Sequence, residues 1–337
     1  MHYRTVPGWL IPFLLGMSVF GLTFFTGPAA ADRATASAPK AGVQAAPPIY
    51  MPLIFKNYAA WLDRVNTYRR LAQLPDLTEN PDWSFGARQH AVYMVKAGET
   101  SNFESMTSPW YTPDGAAAAP NSLLIGATSA TFSDVQAVDY WFRSPFQTIS
   151  ILDPELRQTG YGSYREAGGL MPMAAALDVR RGYISGVPAG VTFPVKWPGS
   201  GQVVGLRTFA EFGETPDSFS FNNCNTPGYS AATAGLPIIL QVGSGSAAGP
   251  TVNRNSAPSV LRLGSSPQPH CLITAVDLPV DTAGTRDYLA TRDALVVIPK
   301  DPLMQGATYT VSITATLSGG SPTNYTWSFS VAANANP

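Results

Sequence analysis

The chain has 337 residues, a net charge of −1 and only 13% charged side chains, with 30 glycines and 30 prolines. That length has room for two domains with cores of their own, and the Gly/Pro-rich, charge-poor profile suits a turn-rich exported protein better than a helical cytosolic enzyme. Near-neutrality favours neither nucleic acid nor an anionic membrane surface as a partner, and no nucleic acid is expected.

At the N-terminus Arg4 precedes a run from Trp9 to Phe25 that is almost wholly apolar, and Ala29-Ala30-Ala31 supplies small residues at its end. This pattern predicts a signal peptide over 1–31, with an uncleaved anchor as the alternative; cleavage would leave no stable membrane span. Residues 32–58 form a linker rich in Ala, Pro and Ser, interrupted by a short apolar run, Ile49 to Phe55. Helical patterning begins with Trp61, Val65, Tyr68 and Ala72, which fall on one helix face. A second helix carries its own start and stop signals: Asn80 as cap, Pro81 at the first position, Trp83, Ala87, Ala91 and Met94 in register, and Gly98 beyond the end. A third begins at Ser133 with Gln136 in a capping-box spacing and ends before Ser144-Pro145. Short strands follow at Gly160–Tyr164 and Met173–Val179, so helices precede antiparallel strands in an α+β segment. Residues 183–235 read as a connecting segment. From 236 to 334 the chain reads as all-β, with strands near 237–242, 260–263, 271–273, 294–298, 308–315 and 325–331. Alternation at Tyr309, Val311, Ile313 and Ala315, and again at Trp327, Phe329 and Val331, suggests a small immunoglobulin-like sandwich. The pair Cys224 and Cys271, in a chain bound for an oxidising compartment, predicts one disulfide.

Several pieces in the first domain occur in a telling order. Asn66 and Arg69 lie in the first helix and Ala87-x-x-His90-Ala91-x-x-Met94 in the second. Then come Ser108-Pro-Trp-Tyr-Thr-Pro-Asp-Gly115, Ala119-Pro-Asn-Ser122, Trp141-x-x-Ser144-Pro145 and Gly160-Tyr-Gly162. This order, over residues 59–182, resembles the CAP superfamily (cysteine-rich secretory proteins, antigen 5, pathogenesis-related 1), and its bacterial type in particular. The resemblance implies an α-β-α sandwich with a cavity lined by two histidines and two acidic residues, which in some members bind a divalent cation.

This sequence departs from that set. Asn102 stands at the position of the first histidine and Gln147 at that of the second, while Ala119-Pro120-Asn121 replaces an acidic element and leaves Glu104 as the surviving acid. Amide oxygens are weak zinc donors and do not cycle protons near neutral pH. Asn102, Glu104 and Gln147 could form a polar floor for a ligand, or a closed cluster that satisfies itself. Trp110, Tyr111 and Trp141 are candidates for an aromatic rim, although such side chains are often core. His90, at the edge of an apolar helix face, reads as a structural histidine; His270 has no carboxylate pair nearby, and the Gly243-Ser244-Gly245-Ser246 run lacks a nucleophile-elbow context.

The sequence therefore leads to a secreted or cell-surface α+β protein, a CAP-like sandwich followed by an Ig-like β domain. It is expected to bind an unidentified extracellular ligand (lipid, glycan or protein) without catalysis, metal or cofactor. Its rivals are a metal-dependent hydrolase using Glu104 and a purely structural surface module.

Overall fold

A computed structural model describes residues 58–210, 224, 230, 232–278 and 285–336. The expected signal peptide, nearly all of the linker and the Ile49–Phe55 run lie outside these residues. The N-terminal part contains helices α1 (Tyr58–Leu71), α2 (Pro81–Ala97), α3 (Pro113–Ala118), α4 (Asp134–Trp141) and α5 (Pro145–Ile151). Its strands are β1 (Thr78–Glu79), β2 (Ser122–Ala127), β3 (Gln158–Thr159), β4 (Tyr161–Arg165) and β5 (Met173–Asp178). The helix starts follow the expected chemistry. Asn80 accepts from the Asp82 and Trp83 amides with Pro81 in the first turn, Gly98 closes α2 in the left-handed region at φ 74°, and Ser133 and Gln136 complete a capping box on α4.

Strand β5 lies between β2 and β4, antiparallel to both. Its alternation divides the domain into layers. Met173, Ala175 and Leu177 face a core shared with Trp61, Val138 and Trp141, while Ala174 and Ala176 face Ala87, Ala91 and Met94 of α2. The predicted face of α1 is the buried one, with Trp61, Val65, Tyr68 and Ala72 all 3% exposed or less. The small residues on the α2 side bring that helix close to the sheet. A Cβ on Gly160 would lie 2.5 Å from the Trp83 Cβ, and one on Gly162 would collide with the Arg88 backbone, so the Gly-x-Gly pair is what lets helix and strand meet.

Two residues that contribute to the resemblance act on the backbone. Asn66 donates through Nδ2 to the Leu77 carbonyl (3.0 Å) and accepts from the Leu77 amide (2.8 Å), as a peptide group would. Arg69, fully buried, donates to the carbonyls of Pro75, Ile151, Asp153 and Leu156, and burial draws its guanidinium down to about 10. Asp139 of α4 receives Arg64 in a two-pronged pair (2.6 and 3.0 Å) and the Tyr68 hydroxyl (2.6 Å), which ties α1 to α4.

The C-terminal part contains β6 (Val195–Trp197), β7 (Val203–Leu206), β8 (Ile238–Gln241), β9 (Ser259–Leu263), β10 (Ser266–Pro267) and β11 (His270–Ile273), then α6 (Thr285–Ala290), β12 (Ala294–Pro299), β13 (Thr308–Ala315) and β14 (Thr323–Asn336). They form a five-stranded sheet in the order β10-β9-β13-β14-β7 and a four-stranded sheet in the order β11-β12-β8-β6. Tyr309, Val311, Ile313, Trp327, Phe329 and Val331 are buried as their alternation predicts. On the opposite face, hydroxyls pair across the hairpin, Thr308 with Ser330 and Thr310 with Ser328, each at 2.8 Å. The disulfide joins Cys224 to Cys271 of β11, with the Cα atoms 5.4 Å apart.

The segment read as a connection, 183–235, supplies a strand to each of these sheets. Strand β7 pairs parallel with β14, and β6 pairs antiparallel with β8. Strands of three and four residues between Gly and Pro carry no readable period. The described residues from 58 to 336 fall within one compact unit. Within it, Tyr68 of α1 and Phe142 at the end of α4 pack on Trp197 of β6, with ring centroids 5.3 and 5.2 Å apart.

Candidate functional site

The polar centre of the N-terminal domain joins the middle of α2 to the loop that follows it. His90 and Glu104 are buried, at 0% and 1% exposure. Nδ1 of His90 lies 2.9 Å from Oε1 of Glu104, and its Nε2 lies 2.7 Å from the Ser101 carbonyl. A carbonyl only accepts, so Nε2 carries a proton. The Nδ1 contact then holds a single further proton, either as imidazolium against carboxylate or as neutral imidazole against carboxylic acid. Both arrangements carry no net charge, which is the condition for burying such a pair. The second carboxyl oxygen accepts from the Thr112 amide at 3.0 Å. Gly115 makes room for the carboxyl group, since a Cβ there would overlap Glu104 Oε1. Thr112 also caps α3 through its hydroxyl, which accepts from the Gly115 amide at 3.0 Å. Glu104 therefore fixes the loop from α2 to α3, and the histidine holds Glu104.

The expected floor residues divide. Asn102 is exposed and donates from Nδ2 to the carbonyls of Ala119 (3.1 Å) and Ser122 (3.3 Å), at the entry to β2. Asn102 and Glu104 thus anchor neighbouring parts of one loop. Gln147 sits in α5, half-buried, and its Oε1 finds no partner among the described residues. No hydrogen bond among the described residues joins it to Asn102 or Glu104.

The donor set does not suit a divalent cation. Both oxygens of Glu104 and both nitrogens of His90 are committed, Asn102 is engaged through its amide nitrogen, and Gln147 adds one neutral oxygen. Among the described residues no three His, Cys, Asp or Glu side chains are grouped to hold a metal ion.

The aromatic candidates also separate. Trp141 is a correction to the expected rim: it is fully buried, its Nε1 donates to the Leu124 carbonyl at 3.3 Å, and its ring meets Tyr161 edge-on at 6.2 Å. It lies on the apolar face of α4 beside Val138 and holds that helix to β2. Trp110 is 43% exposed, with the Lys96 ammonium 4.9 Å from its ring centroid. Tyr111 is half-buried next to it. Lys96 also pairs with Glu166 at 2.5 Å, and Glu166 accepts from the Tyr164 hydroxyl at 2.6 Å. These two donors hold the Glu166 carboxyl below the usual range for a glutamate. The hairpin tip that follows carries Leu170, 92% exposed, and a Cβ on Gly98 would lie 3.9 Å from its Cβ. Phe103 and Met106, in the loop leading to Trp110, are 65% and 79% exposed.

Sequence reasoning missed the His90–Glu104 contact and the exposed residues Phe103, Met106 and Leu170. A histidine on an apolar helix face, followed by Glu99 and Glu104 in the loop just beyond the helix stop, was the signal for the first. His270 is structural, its ring nitrogens contacting the Gln268 carbonyl and the Ser259 hydroxyl, each at 2.9 Å.

No helix among the described residues is long and apolar enough to cross a membrane. A search of curated proteins found no match to the chain. Residues 62–171, a third of the chain that holds α2 to α5, most of α1, β2, β4, the His90–Glu104 pair and the exposed loop, match the family model CAP, the cysteine-rich secretory protein family.

Proposed function

We propose that the chain is an extracellular, non-catalytic CAP-domain protein that binds a ligand with an apolar face through the rim around Trp110. In this reading the C-terminal sheets are an Ig-like module that displays the CAP domain. The carrying observation is that Trp110, with Lys96 of α2 over its ring, and Leu170, beside Gly98 at the stop of α2, are both exposed, as are Phe103 and Met106 in the loop that leads to Trp110. Exposed apolar residues that share a region of the surface mark interaction sites more often than scattered ones do. Support comes from the interior, where His90 and Glu104 hold one another and the α2–α3 loop and so have a structural use. The disulfide suits an oxidising compartment.

The test uses the purified full chain and a Trp110→Ala, Leu170→Ser variant. Both are presented to phosphatidylcholine vesicles, a glycan array and extracellular proteins of the producing cell. One of the three classes is expected to bind the wild type and to lose most of its affinity in the variant. Absence of binding in all three, or binding that the double variant retains, would overturn the reading in favour of a purely structural module.

A further inference from the structure

We infer that Tyr288 and Arg292 form a latch seating the C-terminal sheets on α5, so that this face of the CAP domain is a closed internal interface and not a wall open to ligand. The inference does not depend on the ligand proposed above, because it concerns a different set of side chains. Helix α5 is where the resemblance places the family's second histidine, here Gln147. The residues on either side of Gln147 are already occupied. The Tyr288 hydroxyl donates to the Phe146 carbonyl at 2.5 Å and accepts from the Ser150 hydroxyl, while its ring meets Phe146 edge-on at 5.6 Å. Phe146 and Ser150 are four residues apart and share one helix face.

Arg292 backs this contact. Its guanidinium lies 4.4 Å from the Tyr288 ring centroid, its Nη2 donates to the Tyr183 hydroxyl at 2.9 Å, and its Nε lies 3.0 Å from Oδ2 of Asp153. Tyr183 donates to the same Asp153 oxygen at 3.0 Å, so the cation, two rings and a carboxylate just beyond α5 form one assembly. The other end of the helix is held as well. Arg143 donates to the carbonyls of Thr208 (3.2 Å) and Phe209 (3.0 Å), and the Ala210 amide donates back to the Arg143 carbonyl at 3.0 Å. Apart from Gln147, every residue of α5 is buried.

The chain offers a clean probe, because its two cysteines are joined to each other. The substitution Ser150→Cys places a single thiol under the latch, and Thr107→Cys, in a separate protein, places one on the exposed loop as a reference. In the full chain, maleimide is expected to label the latch thiol roughly 100-fold more slowly than the loop thiol, as for a site reached only by local opening. Adding Tyr288→Phe, which keeps the ring and removes the hydroxyl contacts, should speed labelling of the latch thiol about tenfold, the worth of one net hydrogen bond, and leave the loop thiol unchanged. Arg292→Gln should act in the same direction, so one variant remains informative if the other fails to fold. Labelling of the latch thiol as fast as the loop thiol in the intact chain would overturn the latch. A folded Tyr288→Phe or Arg292→Gln protein in which the latch thiol stays equally protected would do the same.

Discussion

Replacing Glu104 by alanine should be among the most damaging single changes in the N-terminal domain, and replacing it by glutamine among the mildest for a buried acid. Alanine leaves His90 Nδ1 and the Thr112 amide without their partner at a buried position. Breaking one side of such a pair costs about 3–5 kcal/mol. Glutamine preserves both contacts: its amide nitrogen donates to a neutral His90 Nδ1 while Nε2 still donates to Ser101, and its carbonyl oxygen accepts from Thr112. The expected cost is under about 1 kcal/mol, since an uncharged hydrogen-bonded pair replaces one that already carried no net charge. Equilibrium urea unfolding of the full chain, followed by tryptophan fluorescence with the disulfide intact, separates the two. At about 2–4 °C per kcal/mol for a protein of this size, the alanine variant should also lose roughly 10 °C in Tm. If glutamine proved as harmful as alanine, the negative charge itself would be required, and the account of Glu104 as a loop anchor would be wrong.

The Gly162→Ala variant should lose about 1–3 kcal/mol by overpacking, because the added methyl meets the Arg88 backbone; unchanged denaturant midpoints would refute the close helix–strand contact. Reduction of Cys224–Cys271, whose partners are 47 residues apart, should lower stability by about 4 kcal/mol in the chain-entropy model, read as a shift in urea midpoint with and without reductant. Glu166 should titrate below an ordinary glutamate in an NMR pH series, and Lys96→Ala should raise its midpoint. Because the folded value is the depressed one, the contribution of this contact is present above the usual glutamate range and fades as pH falls through the folded value; a Glu166 midpoint unmoved by Lys96→Ala would refute it. Calorimetry should find no stoichiometric zinc binding to the wild type, whereas tight binding would show that Glu104 and His90 are more available than their bonds imply.

Much of the fold was legible where chemistry is local. Asn80, Pro81 and Gly98 mark α2 by themselves, and alternation at Tyr309–Ala315 and Trp327–Val331 marks β13 and β14. Helix α5 was not legible, because six of its seven residues are buried and a helix wrapped on nearly all sides shows no polar face. Strands β6 and β7 escaped for want of length. In the site, Val138 and Trp141 on one face of α4 already pointed to the core, yet an aromatic residue inside a recognisable element invites a functional reading. Glu104 was identified as an acid that matters, but its partner lies fourteen residues away on a helix, and only the tertiary fold brings the two together.

The parallel pairing of β7 with β14 bears on how the chain reaches this state. Val203 is synthesised well before Ser330, its partner in the sheet, so the edge it occupies stays open until the polypeptide has grown by more than a hundred residues. A sheet completed by so distant a strand has high contact order and forms slowly. The delay leaves an unpaired strand edge exposed in the meantime, which makes the folding intermediate, more than the finished protein, the species at risk of aggregation.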